Sequence, residues 1–319
     1  MSTPATDCDV AIVGAGPAGL TAGIYAARAG LAALIFESAT PGGQAATTDL
    51  VENFPGFPEP VSGFELAEAM RRQAERWGCG FRSAAVAAVE AVPGTAAWKL
   101  RTDAGDIAAL AVVAASGARA RRLGVPGEDK FWGRGVSICA TCDAALYRGK
   151  HVVVVGGGDT AVQEAAFLAR FAGRITMVHR RERRRAFRAT EDRLAAAAGG
   201  KVTELLETRV VEILGGDRVT GVRLEAVKGG RQSELPCDGV FVLVGFVPSS
   251  DYLPADVLRD EQGYVLANED MATSVPGIYA CGDVRKKSLR QIVVSCGEGA
   301  VAAHSAQNYI EKLKGTAYE

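Results

Sequence analysis

Two cysteines separated by two residues, Cys139-Ala140-Thr141-Cys142, stand directly before Asp143. Such a pair closes a small disulfide ring and opens it again, which is the chemistry of thiol–disulfide exchange. Gly133-Arg134-Gly135 just upstream reads as a loop leading into a helix at Ala144-Ala145-Leu146-Tyr147. A thiol at a helix start feels the positive end of the dipole, so its pKa falls and thiolate forms near neutral pH. A metal site would need a second cysteine or histidine pair at ligand spacing, and the sequence has none.

Two glycine loops supply the other chemistry. Asp9-Val10-Ala11-Ile12-Val13 reads as a strand, Gly14-Ala15-Gly16-Pro17-Ala18-Gly19 as a tight loop, and Leu20 to Ala29 as a helix. A second strand over residues 32–36 ends in Glu37. Strand, glycine loop, helix and strand, with an acid about 20 residues on, is the pattern of a dinucleotide site, where the acid accepts hydrogen bonds from a ribose. The pattern returns at His151-Val152-Val153-Val154-Val155 and Gly156-Gly157-Gly158-Asp159-Thr160-Ala161, with a helix to Ala172 and a strand over 175–178. Here the strand ends in His179-Arg180-Arg181, with Arg185 close behind. An acid there repels a 2′-phosphate, whereas arginine pairs with it, so the second site should prefer NADPH to NADH. Arg183, Arg184 and Arg188 extend the run, and a plain solvated basic face is the competing reading.

The elements that position these groups follow in order. Residues 64–77 read as an amphipathic helix, and Phe81 to Thr102 as a β-meander broken at Pro93-Gly94. Residues 108–115 form an apolar, buried strand, and Leu123 to Glu128 read as a linker. Short strands fill 202–245, with turns at Gly215-Gly216-Asp217 and Gly229-Gly230. A last buried strand, Pro276 to Val284, ends in an exposed acid, Asp283 of Gly282-Asp283, and Gly297 to Leu313 reads as a closing helix with its start close to that acid.

At 319 residues the chain has length for about two domains. A net charge of −1 gives no reason to expect nucleic acid or an anionic membrane as partner. No apolar run reaches the ~20 residues of a spanning helix, and residues 1–7 lack the basic-then-apolar order of a secretion signal. Seven cysteines with one close pair suit a reducing compartment and a catalytic dithiol, so the expected location is the cytoplasm.

Taken together, Gly14 to Gly19, Gly42-Gly43-Gln44, Cys139 to Asp143, Gly156 to Ala161, His179-Arg180-Arg181 with Arg185, and Gly282-Asp283 with Arg290-Gln291 resemble the low-molecular-weight, bacterial-type thioredoxin reductases. These are class II pyridine nucleotide-disulfide oxidoreductases, and the resemblance runs over nearly the whole chain. It implies an α/β protein of two Rossmann-like, three-layer ββα domains, the NADPH domain (121–246) inserted into a discontinuous FAD domain (1–120 and 247–319), assembled as a homodimer. Carried over residue by residue, Gly14, Gly16, Pro17, Ala18, Gly19 and Glu37 would hold FAD, with Gly42, Gly43, Gln44, Asn53, Val86, Gly282, Asp283, Arg290, Gln291 and Ile292. The closing helix would aim its N-terminus at the flavin ring. Gly156, Gly158, Asp159, Thr160, Ala161, His179, Arg180, Arg181 and Arg185 would hold NADPH. Cys142 would face the flavin, Cys139 would attack the partner's disulfide, and Asp143 would move protons; a helix-start carboxylate is the other reading of Asp143. Where some members carry Gly-Phe-Phe against thioredoxin, this chain has Ala144, Ala145 and Leu146.

Reducing equivalents would then pass from NADPH through FAD and the Cys139–Cys142 couple to thioredoxin or a thioredoxin-like small protein. The couple must touch the flavin of the other domain and then meet a protein outside. The domains should therefore rotate about linkers near Gly117–Pro126 and Gly245–Pro248. Two rivals share the fold: a flavin dithiol oxidase, against which the arginines argue, and a ferredoxin-fed reductase, against which the intact second glycine loop argues. A third, an NAD(P)-binding regulator without turnover, leaves the paired cysteines unexplained.

Overall fold

The structure, a computed structural model, describes residues 6–48, 51 and 53–317, with side chains for all of these but Thr141 and Cys142. It divides into two compact units, Met1–Arg119 with Val247–Glu319, and Ala120–Phe246.

The first unit opens with β1 (Cys8–Val13), α1 (Pro17–Arg28), β2 (Ala33–Glu37), α2 (Gly63–Arg76) and β3 (Gly80–Ser83). β4 (Val86–Ala91), β5 (Trp98–Thr102), β6 (Ile107–Ala114) and the short β7 (Ala118–Ala120) follow. β1 lies between β2 and β6, all parallel, and is buried on both faces, which is why it reads as an almost unbroken apolar run. The expected meander from Phe81 is only partly realised. β3 runs parallel to β2 on the far edge, because α2 supplies the crossover that a parallel pair requires. The antiparallel ribbon is β4-β5-β6 instead.

The second unit holds β8 (Val136–Ser137), α3 (Ala140–Asp143), β9 (His151–Val155), α4 (Asp159–Leu168) and β10 (Arg174–Val178). Next come α5 (Arg188–Ala198), β11 (Val202–Leu205), β12 (Thr208–Gly215), β13 (Val219–Ala226), β14 (Gln232–Pro236) and β15 (Gly239–Val242). The sheet order is β11-β10-β9-β15-β8, every pair parallel, while β12-β13-β14 form an antiparallel sheet with hairpin turns at the expected glycines. Residues 202–205 thus join the parallel sheet, and α5 is the crossover that carries them there. Leu123 to Glu128, expected as a linker, folds inside this unit. The helix expected at 144–147 starts earlier, at Ala140, and 144–147 is a 3₁₀ turn. α4 stops at Leu168, four residues short of the expected Ala172.

The chain then returns to the first unit. β16 (Phe246–Pro248) pairs with β7, so the two crossings between units run side by side. β17 (Ile278–Ala280) lies parallel to the second half of β6, beyond the stretch that β5 occupies. α6 (Ile292–Lys314) starts five residues before the expected Gly297.

Each parallel sheet therefore has helices on one face and antiparallel strands on the other, the three-layer ββα arrangement expected. Ile12, Leu20, Ile35 and Leu110 are fully buried on the helical face of the first unit, and Val152, Val154, Leu168 and Leu194 occupy the same layer of the second. Each such side chain contributes about 1.5–3 kcal/mol through burial. Among the described residues no helix is long and apolar enough to cross a membrane.

Candidate functional site

In the first unit the chain leaves β1 at Gly14, whose φ of +105° a side chain rarely adopts. A Cβ on Gly14 would lie 2.5 Å from the Ala115 carbonyl oxygen, and one on Gly19 would lie 1.9 Å from that of Gly14. The loop and the first turn of α1 pack this closely only as glycine. A Cβ on Gly16 would meet nothing within 4 Å, and no side chain caps α1, which has Pro17 at its first turn. Glu37, ending β2, accepts the Ala15 amide at 2.9 Å and the Ala39 amide at 3.0 Å. Its two oxygens still have lone pairs for ribose hydroxyls. The open face over Gly16, the uncapped α1 start and this acid fit the adenosine and pyrophosphate of a dinucleotide.

Other residues expected near the flavin converge on this loop and on α6. The Gly42 amide donates to the Ala15 carbonyl at 2.7 Å, and the Gln44 amide group donates to the Ala118 carbonyl at 2.8 Å. Asn53 donates to Gln291 at 2.9 Å, which joins two residues 238 positions apart. Ile292 is the first residue of α6, Gln291 its N-cap, and Arg290 stacks on Tyr264 with 4.4 Å to the ring centroid. Val86 is half-buried against the core on the opposite face of the sheet from α1.

Asp283 belongs to a cluster that the sequence does not signal. Its Oδ1 is buried 3.0 Å from Lys287 Nζ in an ion pair without hydrogen-bond geometry. Lys287 also reaches Glu298 at 3.3 Å and Ser295 at 3.2 Å. Glu298 accepts the Gly282 amide at 2.7 Å and Arg285 at 2.8 Å. The Lys287 side chain is only 6% exposed, so its charge depends on these acids to offset desolvation. Glu298 comes from α6, and no local pattern links it to Gly282-Asp283.

In the second unit a cavity of about 550 Å³ opens over the carboxyl ends of β9, β10 and β15. Gly156, Gly158, Thr160 and Ala161 line it, with His179, Arg180, Arg181 and Arg185. A Cβ on Gly157 would lie 2.5 Å from His179 Nδ1, so the imidazole packs flat on the loop. Burial lowers the His179 pKa, and Arg181, Arg185 and Arg180 act in the same direction against its hydrogen bond to the Arg183 carbonyl. The ring is therefore neutral at pH 7. The structure also sorts the arginine run. Arg184 is committed to Glu191 and to Glu204, the latter at 2.9 Å. Arg180, Arg181 and Arg185 make no ion pair among the described residues and line the cavity, a lining suited to a multiply charged anion. The Asp159 carboxylate is turned to the start of α5, where it accepts Phe187 N at 2.8 Å and Thr190 Oγ1 at 3.1 Å.

Cys139 is the second residue after β8, at the same edge of the sheet as the Gly156 loop, since β8, β15 and β9 are parallel. It is disulfide-bonded. Ser137 Oγ accepts the Cys139 amide at 3.1 Å, the Cys139 carbonyl accepts the Asp143 amide at 3.3 Å, and the Glu164 carboxylate on α4 accepts the Ala140 amide. Cys142 and Asp143 lie within α3, and the Cys142 side chain is outside the described residues. Glu164 escapes sequence reasoning because only the packing of α3 on α4 brings it to this turn. Cys8, Cys79, Cys237 and Cys281 are free, with thiols pushed up to about 12, chiefly by burial. Cys296 is free and raised in the same way.

Two dinucleotide-type units and one disulfide turn at a sheet edge define a nucleotide-dependent disulfide oxidoreductase. The family model described as pyridine nucleotide-disulphide oxidoreductase matches residues 8–299. A thioredoxin reductase of Treponema pallidum is 44% identical over 97% of this chain and 99% of its own. The crystal structure of Lactococcus lactis thioredoxin reductase in its FR conformation superposes with a TM-score of 0.87 at 36% identity, covering 96% of this chain and all of that one. A ferredoxin-flavin thioredoxin reductase from Clostridium acetobutylicum reaches a TM-score of 0.51 at 31% identity, over 97% of this chain and 98% of its own. The chain belongs to the pyridine nucleotide-disulphide oxidoreductase family, and as a member it is an oxidoreductase that uses a flavin and a nicotinamide nucleotide.

Proposed function

We propose that this chain is a thioredoxin reductase that carries reducing equivalents from NADPH, through FAD and the Cys139–Cys142 couple, to thioredoxin or a thioredoxin-like small protein. The observation that carries the reading is disulfide-bonded Cys139 at the edge of the same sheet whose next-but-one strand delivers the Gly156 loop. The Gly14 loop, Glu37, Gly43, Gln44, Asn53, Asp283 and the start of α6 hold FAD, which supplies two-electron relay between a hydride donor and a dithiol. The cavity arginines hold NADPH.

The disulfide takes up two electrons and two protons. The Cys139 thiolate then attacks one sulfur of the partner's disulfide, and the other leaves and takes a proton. Cys142 attacks the Cys139 sulfur of the mixed disulfide, which restores the ring and frees the partner's second thiol. Asp143, next to Cys142 in α3, relays the proton. Between the half-reactions the second unit rotates about the paired crossings. The working species is a homodimer in the cytoplasm. Unpaired arginines in the cavity favour NADPH over ferredoxin as donor, and the higher TM-score of the Lactococcus lactis enzyme points the same way.

Anaerobic NADPH should bleach the flavin of the purified protein, and oxidised thioredoxin should restore its colour. Cys142→Ser should still bleach and should fail to turn over thioredoxin. A protein that binds no FAD, or a serine variant with full turnover, would refute the reading.

A further inference from the structure

The second unit's cavity has basic walls on both sides of β9. The strap Arg121–Pro126 forms the one beside β15. The Arg121 amide donates to the Gly245 carbonyl, just past β15, at 2.8 Å. Further along, the carboxylate of buried Glu128 accepts the Leu123 amide at 3.0 Å and the Gly124 amide at 2.8 Å. The strap is thus fixed at both ends. Its two arginines differ. Arg122 lies over Trp132 with 3.2 Å to the ring centroid and 3.5 Å from Asp129, so its charge is engaged. Arg121 is exposed and makes no ion pair among the described residues. Arg209, also on the wall, is paired with Glu225.

In a doubly wound unit the adenosine half of a dinucleotide lies over the strand that bears the acid or arginines, here β10, and the other half crosses the glycine loop toward the opposite side. The anionic charge of NADP(H) sits in two places, the 2′-phosphate and the pyrophosphate. Arg180, Arg181 and Arg185 face the first. We infer that Arg121 is a second anion contact of this cavity, serving the pyrophosphate and nicotinamide half and indifferent to the 2′-phosphate. The inference rests on the NADPH reading above.

Equilibrium titration of the flavin-loaded protein with NADP⁺ and with adenosine 2′-monophosphate, which carries only the adenosine end, separates the two walls. Arg121→Met should weaken NADP⁺ about fivefold, the scale of one solvent-exposed charge contact, and leave the monophosphate within twofold. Arg121→Lys should restore most of the loss, which a purely structural role would not require. Arg181→Met should weaken both ligands. Unchanged NADP⁺ affinity in Arg121→Met, or an equal loss for the monophosphate, overturns the inference while leaving the NADPH site intact. A parent protein that binds neither ligand overturns the NADPH reading and this inference with it.

Discussion

The two units are variants of one plan, and their differences sit where the chemistry differs. The parallel order β3-β2-β1-β6-β17 in the first matches β11-β10-β9-β15-β8 in the second. Each second strand ends beside its glycine loop. In one unit that end is Glu37, which binds the loop amide; in the other it is neutral His179, which packs on the loop and is followed by arginines. The fifth strands differ most. β17 comes last in sequence among its sheet's strands and leads into Cys281-Gly282-Asp283, whereas β8 comes first in sequence among its sheet's strands and leads toward Cys139. The same place beside the sheet thus holds a buried ion cluster in one unit and a disulfide-bonded cysteine in the other.

The largest expected contrast is at the last position of each loop, glycine in the first and alanine in the second. Gly19→Ala would drive a methyl to within 1.9 Å of the Gly14 carbonyl, and backbone cannot yield cheaply. It should cost about 1–3 kcal/mol and deplete bound flavin, read as the visible-to-ultraviolet absorbance ratio and by thermal melting. Ala161 already carries a methyl, so Ala161→Gly should cost only about 1 kcal/mol and leave flavin content unchanged. Equal effects would show that close packing at this position does not distinguish the two loops.

A smaller effect tests the strand ends. Arg181→Glu puts an acid on the β10 side and should raise the KM for NADPH about tenfold or more, an interaction of order 1.4 kcal/mol. The KM for NADH should barely move. Parallel loss for both nucleotides would place Arg181 outside 2′-phosphate recognition and weaken the comparison with Glu37.

Both nucleotide loops were legible in the sequence because strand, glycines, helix and strand follow within one short window, where local sterics decide. α5 was not. RATEDRLAAAA buries only Thr190 and Leu194, too few apolar positions to show a 3.6-residue period. The pairing of β3 escaped because strand direction depends on the intervening crossover, not on the strand's own residues. The start of α6 was hidden by Ile292-Val293-Val294, whose β-branched side chains favour a strand locally, while packing extends the helix through them. The Lys287–Glu298 cluster, the Glu164 contact and the strap at Arg121 join residues far apart in sequence, and charged residues reveal burial only once folded.

The smallest effect concerns the cysteines that follow the two fifth strands. Cys281 has its pKa pushed up to about 12, first by burial and then by Glu298. The native fold therefore disfavours its thiolate, and an unfolded chain ionises first as pH rises above 9. Stability linked to Cys281 is complete below pH 9 and declines between 9 and about 12. After reduction, brief alkylation at pH 8 should label Cys139 and spare Cys281, and Cys281 labelling should rise only as the buffer approaches pH 12. Peptide mass mapping reads both sites from one sample. Comparable labelling of the two at pH 8 would mean that the place beside the sheet, not burial, sets thiol reactivity, and the chemical division between the units would fall.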